Sequence, residues 1–247
     1  DSPAIIEASA GEFEFVTKDF YKYVIERCKD SRVPFALHLD HGHTVEECVR
    51  AIQAGFTSVM IDGSTLPYEE NVALTKKVVE IAHAAGVTVE GEIGTIGAIG
   101  NSDEGGVTNI TYTRPEDVVD FVEKTGVDCL AIAIGTAHGI YPKGYTPKLQ
   151  LELLEEIKKI APVPLVLHGG SNNPDDEIAK ACKIGIAKVN ISSDIKYAYF
   201  KKLDEVYKET GGFVPAKVMG PAIVDTKAVV KNKMELFNSV GKASLYR

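Results

Sequence analysis

The chain has 247 residues, of which 45% are hydrophobic and 25% are charged. This composition is typical of a globular protein, and the length suits one α/β barrel domain of about 250 residues. The formal net charge of −8 disfavours nucleic acid and acidic membranes as partners, because both need a basic surface. No apolar run reaches the roughly 18 residues of a membrane span and no signal peptide is visible, so we expect a cytoplasmic protein.

The four cysteines are scattered along the chain and form no CxxC pair. Cys48 and Cys182 fall on apolar helix stripes, and Cys129 opens a predicted strand. This distribution predicts reduced, buried thiols rather than disulfides.

Apolar, β-branched runs alternate with amphipathic helical patterns along almost the whole chain. Near-continuous apolar runs are typical of parallel strands that are covered on both faces. We predict seven strands, at about residues 4–9, 35–40, 58–62, 88–93, 129–134, 164–168 and 187–192.

Start signals precede the helices between these strands. Thr44 and Glu47 predict a capping box, and Thr113 and Glu116 repeat the pattern with Pro115 in the first turn. A later helix is expected to open at Asn173–Pro174 and to close at Gly185.

Two helices are predicted at the end of the chain, one from about Asp194 to just before Gly211 and a final one over roughly 220–237. The apolar stripe of the first of these predicts that it buries Ile195, Tyr199, Leu203 and Val206.

Repeated β/α units with right-handed crossovers predict either a barrel or an open doubly wound sheet. No GxGxxG motif follows the first strand, which disfavours a dinucleotide-binding fold. No low-complexity linker interrupts the chain, so we expect a single domain over 1–247 with a C-terminal helical extension from about 213 to 247. A closed barrel needs eight strands, so either one strand is hidden or the chain lacks its beginning.

Three histidines lie where predicted strands stop: His41 in HLDHG, His138 in AIGTAHG and His168 in LVLHGG. In a parallel barrel the carboxyl ends of the strands converge on one face. The convergence would offer three imidazole nitrogens and one open position, which is the arrangement of a catalytic zinc site.

Seven motifs together resemble the class II, zinc-dependent ketose-bisphosphate aldolases of the fructose- and tagatose-bisphosphate type. They are LDHG at 39–42, SVMIDGS at 58–64, VEGEIG at 89–94, AIGTAHGIY at 133–141, VLHGGS at 166–171, NISSDIK at 190–196 and KNKMELFNSVGKA near the end. The resemblance implies a TIM (β/α)8 barrel. It also implies that a segment holding the first strand and a substrate-contacting asparagine normally precedes the SPAII-like strand, so we expect a truncated or incomplete chain.

The resemblance assigns the zinc ion to His41, His138 and His168. It makes Asp40 the group that takes the proton from the substrate C4 hydroxyl in cleavage and returns it in condensation. It also implies an acidic base on a closing loop, for which Glu104 is our candidate and Asp103 the second choice. Asp62 and Glu92 end two inner strands, and the resemblance implies outer support of the metal site or an alternative metal position for them.

A phosphate site is expected at the ends of the last two strands, where such barrels place it. The predicted substrate contacts are Gly139, Gly169, Gly170, Ser171, Asn190, Ser192, Ser193 and Lys196. Lys196 is the candidate cation for the second phosphate of a bisphosphate substrate, and Lys143 is a weaker candidate for the same role. Asn172 replaces the family's usual glycine, which could alter the turn or the binding of a monovalent cation, Na⁺ or K⁺. Structural roles are expected for His38, His43 and His83, and His38 is expected to face the same way as Asp40.

The sequence therefore predicts a zinc-dependent lyase that reversibly splits a ketose 1,6-bisphosphate into dihydroxyacetone phosphate and a phosphorylated aldehyde. Two alternatives stay open: a metal-dependent sugar-phosphate isomerase or epimerase, and a phosphosugar-binding protein without turnover. The C-terminal segment resembles a region that contributes to dimer contacts in the family, so we expect a homodimer or higher homo-oligomer. The residues do not distinguish fructose, tagatose or another ketose phosphate as the substrate.

Overall fold

The computed structural model describes residues 1–99, 106–108 and 110–246. The strands are β1 (Ala4–Ser9), β2 (Phe35–Gly42), β3 (Ser58–Ile61), β4 (Thr88–Ile93), β5 (Gly97–Ala98), β6 (Cys129–Ile132), β7 (Ala137–His138), β8 (Leu165–Leu167) and β9 (Ile186–Val189). The helices are α1 (Ala10–Phe15), α2 (Lys18–Lys29), α3 (Val45–Gln53), α4 (Tyr68–Ala84), α5 (Pro115–Thr125), α6 (Leu151–Ile160), α7 (Asp175–Ile184), α8 (Ser193–Thr210) and α9 (Pro215–Leu236), followed by a 3₁₀ turn at Lys242–Tyr246.

Seven strands form one parallel sheet in the order β1-β2-β3-β4-β6-β8-β9. Within the described residues β1 and β9 are its edges, yet Lys188 of β9 lies 2.7 Å from a carboxylate oxygen of Glu7 in β1. The two edges therefore face each other, and the sheet curls towards closure. This is the α/β architecture of a TIM-type barrel, and the seven predicted strands are confirmed.

Helices cover the outer face of the sheet and bury its apolar side chains. The core joins strand residues to helix residues, and its fully buried members include Leu39, Val59, Val89, Leu130, Leu165, Phe121, Leu154 and Ile178. The capping box at α3 is confirmed, since Thr44 accepts from the N–H of Glu47 and the Glu47 carboxylate accepts from the Thr44 N–H.

The second predicted capping box is wrong. Helix α5 starts at Pro115 with Arg114 as an N-cap that makes no side-chain hydrogen bond. Thr113 instead donates its hydroxyl to the carbonyl of Ile93, at 2.6 Å, and accepts from the N–H of Ala133, at 2.8 Å. Buried polar groups are almost always hydrogen-bonded, and the two bonds of this buried hydroxyl link the ends of β4 and β6.

Other boundaries also differ from the predictions. Four strands end earlier, at Ile61, Ile132, Leu167 and Val189, because the following residues leave the ladder to form the site described below. The strands β5 and β7 were missed, since two residues carry no periodicity. Helix α9 begins at Pro215 and runs through Pro221, ahead of the predicted start.

The apolar stripe predicted for α8 is only half-buried, because this helix packs mainly against α9 rather than inside the core. All four cysteines are free thiols as predicted, but only Cys48 is buried and the other three are partly exposed. Among the described residues, no helix combines the length and the apolarity needed to cross a membrane.

Candidate active site

The three histidines predicted at strand ends lie together at the carboxyl edge of the sheet. His41 is the second-to-last residue of β2, His138 is the last residue of β7 and His168 directly follows β8. All three are buried, and each offers a ring nitrogen within 4.8 Å of the others. The ring centroid of His41 lies 4.9 Å from that of His138 and 4.6 Å from that of His168.

An irregular backbone at the end of β2 aims two neighbouring residues at this cluster. A regular strand sends Asp40 and His41 to opposite faces of the sheet. Here the register against β3 shifts between Leu39 and Gly42, and His41 has φ of 48°. Such a conformation costs on the order of 1–3 kcal/mol and persists only where its surroundings enforce it. The result is that Asp40 and His41 are both buried and both reach the site.

The third side of the cluster depends on a close approach of two backbone segments. Gly169 has φ of 62°, and a Cβ at this position would lie 2.7 Å from the carbonyl oxygen of Ala137. Gly139 also has a positive φ, of 106°, and is buried against the backbone of Ile99. Gly169 allows the turn after β8 to pack against β7, which brings His168 near His138, and Gly139 allows the segment after β7 to pack against Ile99.

Two carboxylates orient two of the rings. Asp62 Oδ2 lies 2.8 Å from His41 Nδ1, and Glu90 Oε1 lies 2.7 Å from His168 Nε2. The remaining nitrogens, His41 Nε2 and His168 Nδ1, point at each other at 2.8 Å. Histidines that bind metals usually donate their far N–H to a carboxylate in this way.

Charge determines the protonation of these rings. Burial alone would lower the pKa of His41, but the Asp40 charge and the hydrogen bond to Asp62 outweigh it and raise the pKa to about 10. Burial and the charge of His41 lower the pKa of His168. His41 is therefore the protonated partner and His168 the neutral acceptor of their shared hydrogen bond.

The donor set fits a divalent metal ion. Three buried imidazoles converge, two of them with their far nitrogens held by carboxylates, and three neutral imidazoles are a common ligand set of catalytic zinc. His41, Asp62 and Glu92 form a second group whose donor atoms lie within 4.8 Å of one another. Burial and the neighbouring Asp62 raise the pKa of Glu92 well above its usual range, which is the condition a cation there would relieve.

Asp40 lies beside the cluster. Its Oδ1 accepts a hydrogen bond from Asn190 Nδ2, at 2.9 Å, and lies 4.0 Å from His168 Nδ1. Burial would raise the pKa of Asp40, but the charges of His41, His168 and Lys188 lower it. An ionised carboxylate is thus available as a proton acceptor next to the three imidazoles.

The segments predicted to bind phosphate form two adjoining turns. Ser171 is buried and its Oγ accepts from the N–H of Asp194 in the first turn of α8. Asn172, with φ of 55°, takes the left-handed conformation that a glycine would favour, and its N–H donates to Asp194. Ser192 and Ser193 begin α8 and are half-buried. The N–H of Gly170 donates to the carbonyl of Asn190, so the two turns are hydrogen-bonded to each other.

The remaining predicted residues lie farther out or outside the described chain. Lys196 is half-exposed and pairs with Glu12 of α1 at 2.6 Å. Lys143 is exposed in the loop after β7. Glu104 and Asp103, the two candidates for the loop base, lie outside the described residues.

The other histidines have local partners. His38 is buried against Ser58, with 2.7 Å between Nδ1 and Oγ, and burial lowers its pKa to about 3. His83 lies 2.9 Å from Asp128 on the surface, and His43 is exposed.

Three charged residues inside the barrel were not predicted: Glu90, which is buried, and Glu7 and Lys188, which are partly buried. Glu90 precedes Glu92 by two positions, and Lys188 precedes Asn190 by two. Because residues two apart share a strand face, the period of the strands could have placed both inside the barrel with their recognised neighbours. A cavity of about 600 Å³ between β1, β9 and α9 reaches the Glu7–Lys188 pair, but it does not include the histidines.

Comparisons with known proteins show what this chain is similar to. The family model for class-II fructose-bisphosphate aldolases matches residues 1–242. The fructose-bisphosphate aldolase of Geobacillus stearothermophilus is 41% identical over 250 residues, covering 98% of this chain and 85% of the relative. That of Thermus caldophilus is 40% identical over 264 residues, covering 98% and 87%. The crystal structure of the YdjI aldolase of Escherichia coli K12 is similar with a TM-score of 0.84 and 33% identity, covering 98% of this chain and 84% of that one.

Proposed function

Because the chain belongs to the class II fructose-bisphosphate aldolase family, we propose that it reversibly cleaves a ketose 1,6-bisphosphate of the fructose or tagatose type into dihydroxyacetone phosphate and a phosphorylated aldehyde. The observation that carries this proposal is the convergence of His41, His138 and His168 beside Asp40. An isomerase or epimerase could use the same charge stabilisation, but the family to which the chain belongs is one of lyases.

His41, His138 and His168 would hold one zinc ion per subunit, with Asp62 and Glu90 orienting two of the rings. When bound, zinc supplies Lewis-acid polarisation of the ketone and offsets the negative charge that develops as the carbon–carbon bond breaks. Asp62 and Glu92 give a cation an alternative position next to His41.

Asp40 accepts the proton of the C4 hydroxyl during cleavage. The C4 oxygen then becomes the aldehyde carbonyl, and the electron pair of the C3–C4 bond goes to the ketone-derived fragment. In condensation Asp40 returns the same proton. The Asn190 side chain donates to Asp40 Oδ1 and so fixes the carboxylate next to the imidazoles. Glu104, with Asp103 as the second candidate, exchanges the proton at C3 of the ketone-derived fragment.

Dihydroxyacetone phosphate would be bound by the two hydrogen-bonded turns that follow β8 and β9. The contacts of these turns are assigned to Gly169, Gly170, Ser171, Asn190, Ser192 and Ser193, and a further contact is assigned to Gly139 after β7. Helix α8 starts at this point, and its N-terminal N–H groups favour an anion. Lys196 would reach the second phosphate by exchanging its Glu12 carboxylate for the phosphate, and the left-handed Asn172 turn would bind Na⁺ or K⁺ if a monovalent cation is used.

The test is product analysis with fructose 1,6-bisphosphate and tagatose 1,6-bisphosphate as substrates. Triose phosphates should form from at least one of them, and the ratio of the two kcat/KM values reports the C4 preference. His138→Ala should abolish the reaction. A new hexose bisphosphate without triose products would instead show an isomerase or epimerase, and substrate binding without any product would show a binding protein.

The same proposal includes a homodimer or higher homo-oligomer. Phe200 and Tyr207 of α8 and Val224 of α9 are exposed by 64%, 59% and 64%, and these two helices lie on the outside of the barrel. Exposed apolar side chains of this size are typical of interaction surfaces. Light scattering that gives the mass of one chain at micromolar concentration would contradict this part.

A further inference from the structure

The largely buried ammonium group of Lys188 lies beneath the site and contacts three polar side chains. Lys188 of β9 has a side chain that is 11% exposed. Its Nζ lies 2.7 Å from Glu7 Oε1, 3.1 Å from Glu90 Oε2 and 2.8 Å from Asn190 Oδ1. A buried lysine is costly unless each of its protons has a partner, and this one has three partners.

The contact with Glu90 leads to His168, one of the three clustered histidines. Glu90 uses Oε2 for Lys188 and Oε1 for His168 Nε2, at 2.7 Å. The ammonium thus holds the carboxylate in place, and the carboxylate sets the ring orientation that turns His168 Nδ1 towards His41. Glu90 is fully buried, so removing the Lys188 ammonium would leave its carboxylate without this compensating positive charge.

The contact with Asn190 leads to Asp40, the proposed proton acceptor. Asn190 accepts from Lys188 through Oδ1 and donates to Asp40 Oδ1 through Nδ2, at 2.9 Å. A carboxamide has one acceptor side and one donor side. Because the ammonium can only donate, it fixes the carboxamide with its NH₂ group towards Asp40. An uncharged residue at 188 would let the amide turn its oxygen towards the Asp40 carboxylate.

We propose that Lys188 is a positioning residue that sets both halves of the site, orienting His168 through Glu90 and Asp40 through Asn190. This inference rests on the proposed function. It goes beyond it by making metal binding and proton transfer depend on one side chain that touches neither metal nor substrate. Glu7 lies on the third side of the ammonium, and its carboxylate also comes within 4.8 Å of donor atoms of His38 and Asp40.

The test compares Lys188→Met and Lys188→Arg with the full-length wild-type chain. Lys202→Met is the matched control, since Lys202 also bridges two carboxylates, Glu205 and Asp225, but far from the site on α8 and α9. Circular dichroism and thermal melting verify folding. Zinc affinity is measured by competition with a chromophoric chelator, and the visible spectrum of Co²⁺ reports the ligand geometry.

We expect Lys188→Met to weaken zinc binding at least tenfold and to alter the Co²⁺ spectrum, within the 10–100-fold range typical of residues that orient metal ligands. At saturating zinc its kcat should still be reduced at least tenfold with KM changed less than threefold, because the Asp40 branch is not repaired by added metal. Lys188→Arg should recover part of both properties, and Lys202→Met should match the wild type.

Wild-type zinc affinity and kcat in a folded Lys188→Met would overturn the inference. If that variant does not fold, the pair Glu90→Gln and Lys188→Arg decides: their effects on zinc affinity should be non-additive when combined, and additivity would refute the coupling. Failure of the proposed function is distinguishable, because a wild-type protein that forms no triose products would still show whether zinc affinity and the Co²⁺ spectrum depend on Lys188.

Discussion

Replacing Gly169 by alanine tests whether the close approach of two backbone segments builds the metal site. The added Cβ would lie 2.7 Å from the carbonyl oxygen and 3.1 Å from the nitrogen of Ala137, at a residue with φ of 62°. Ordinary contact needs about 3.5 Å, so one segment has to move by about 0.8 Å. The left-handed conformation adds about 1–2 kcal/mol for alanine.

The displacement matters because Ala137 precedes His138 and Gly169 follows His168. Metal–ligand distances tolerate only about 0.2 Å, so a shift of this size should weaken zinc binding at least tenfold. Gly211→Ala is the matched control: its φ is 59°, and a Cβ there would meet no atom within 4 Å. The assay is zinc competition together with thermal melting of both variants. Zinc affinity in Gly169→Ala equal to that in Gly211→Ala, with both proteins folded, would refute the reasoning.

Three further predictions concern protons and buried hydrogen bonds. Asp40→Asn should lower kcat about 100-fold or more at saturating zinc, and substantial turnover in steady-state assays would exclude Asp40 as the proton acceptor. The raised pKa of His41, about 10, means that the metal-free protein carries this proton at neutral pH, so zinc binding should release about one proton and apparent affinity should rise with pH up to about 10. Calorimetry in buffers of different ionisation enthalpy measures that proton, and a binding heat independent of buffer would contradict it. Thr113→Val loses hydrogen bonds to Ile93 and Ala133 and should cost about 1–3 kcal/mol in urea unfolding, whereas a change below about 0.5 kcal/mol would show that the hydroxyl is not needed.

The convergence of the three histidines could be predicted because it follows from topology alone. Parallel strands place their carboxyl ends at one edge, so His41 and His168 meet although they are 127 positions apart in the chain. The strand predictions succeeded because parallel strands that are covered on both faces are almost wholly apolar.

Other features depend on individual atoms and carry weaker sequence signals. Nothing in the sequence HLDHG shows that the backbone at His41 takes a positive φ, which is what puts Asp40 and His41 on the same side. Thr113 resembles a helix cap in sequence, but its hydroxyl satisfies buried backbone groups instead. Lys188 and Glu90 interrupt apolar strands and were not predicted, although their two-residue spacing from Asn190 and Glu92 could have placed them facing inward.

Aldol cleavage by this chain is proposed to require a metal ion held by three imidazoles. The most direct measurement is the rate of triose phosphate formation from fructose 1,6-bisphosphate before chelation, after removal of bound metal and after zinc is returned. Activity should disappear with the metal and return with about one equivalent of zinc per chain. Undiminished cleavage by protein whose metal content has been shown to be negligible would contradict it.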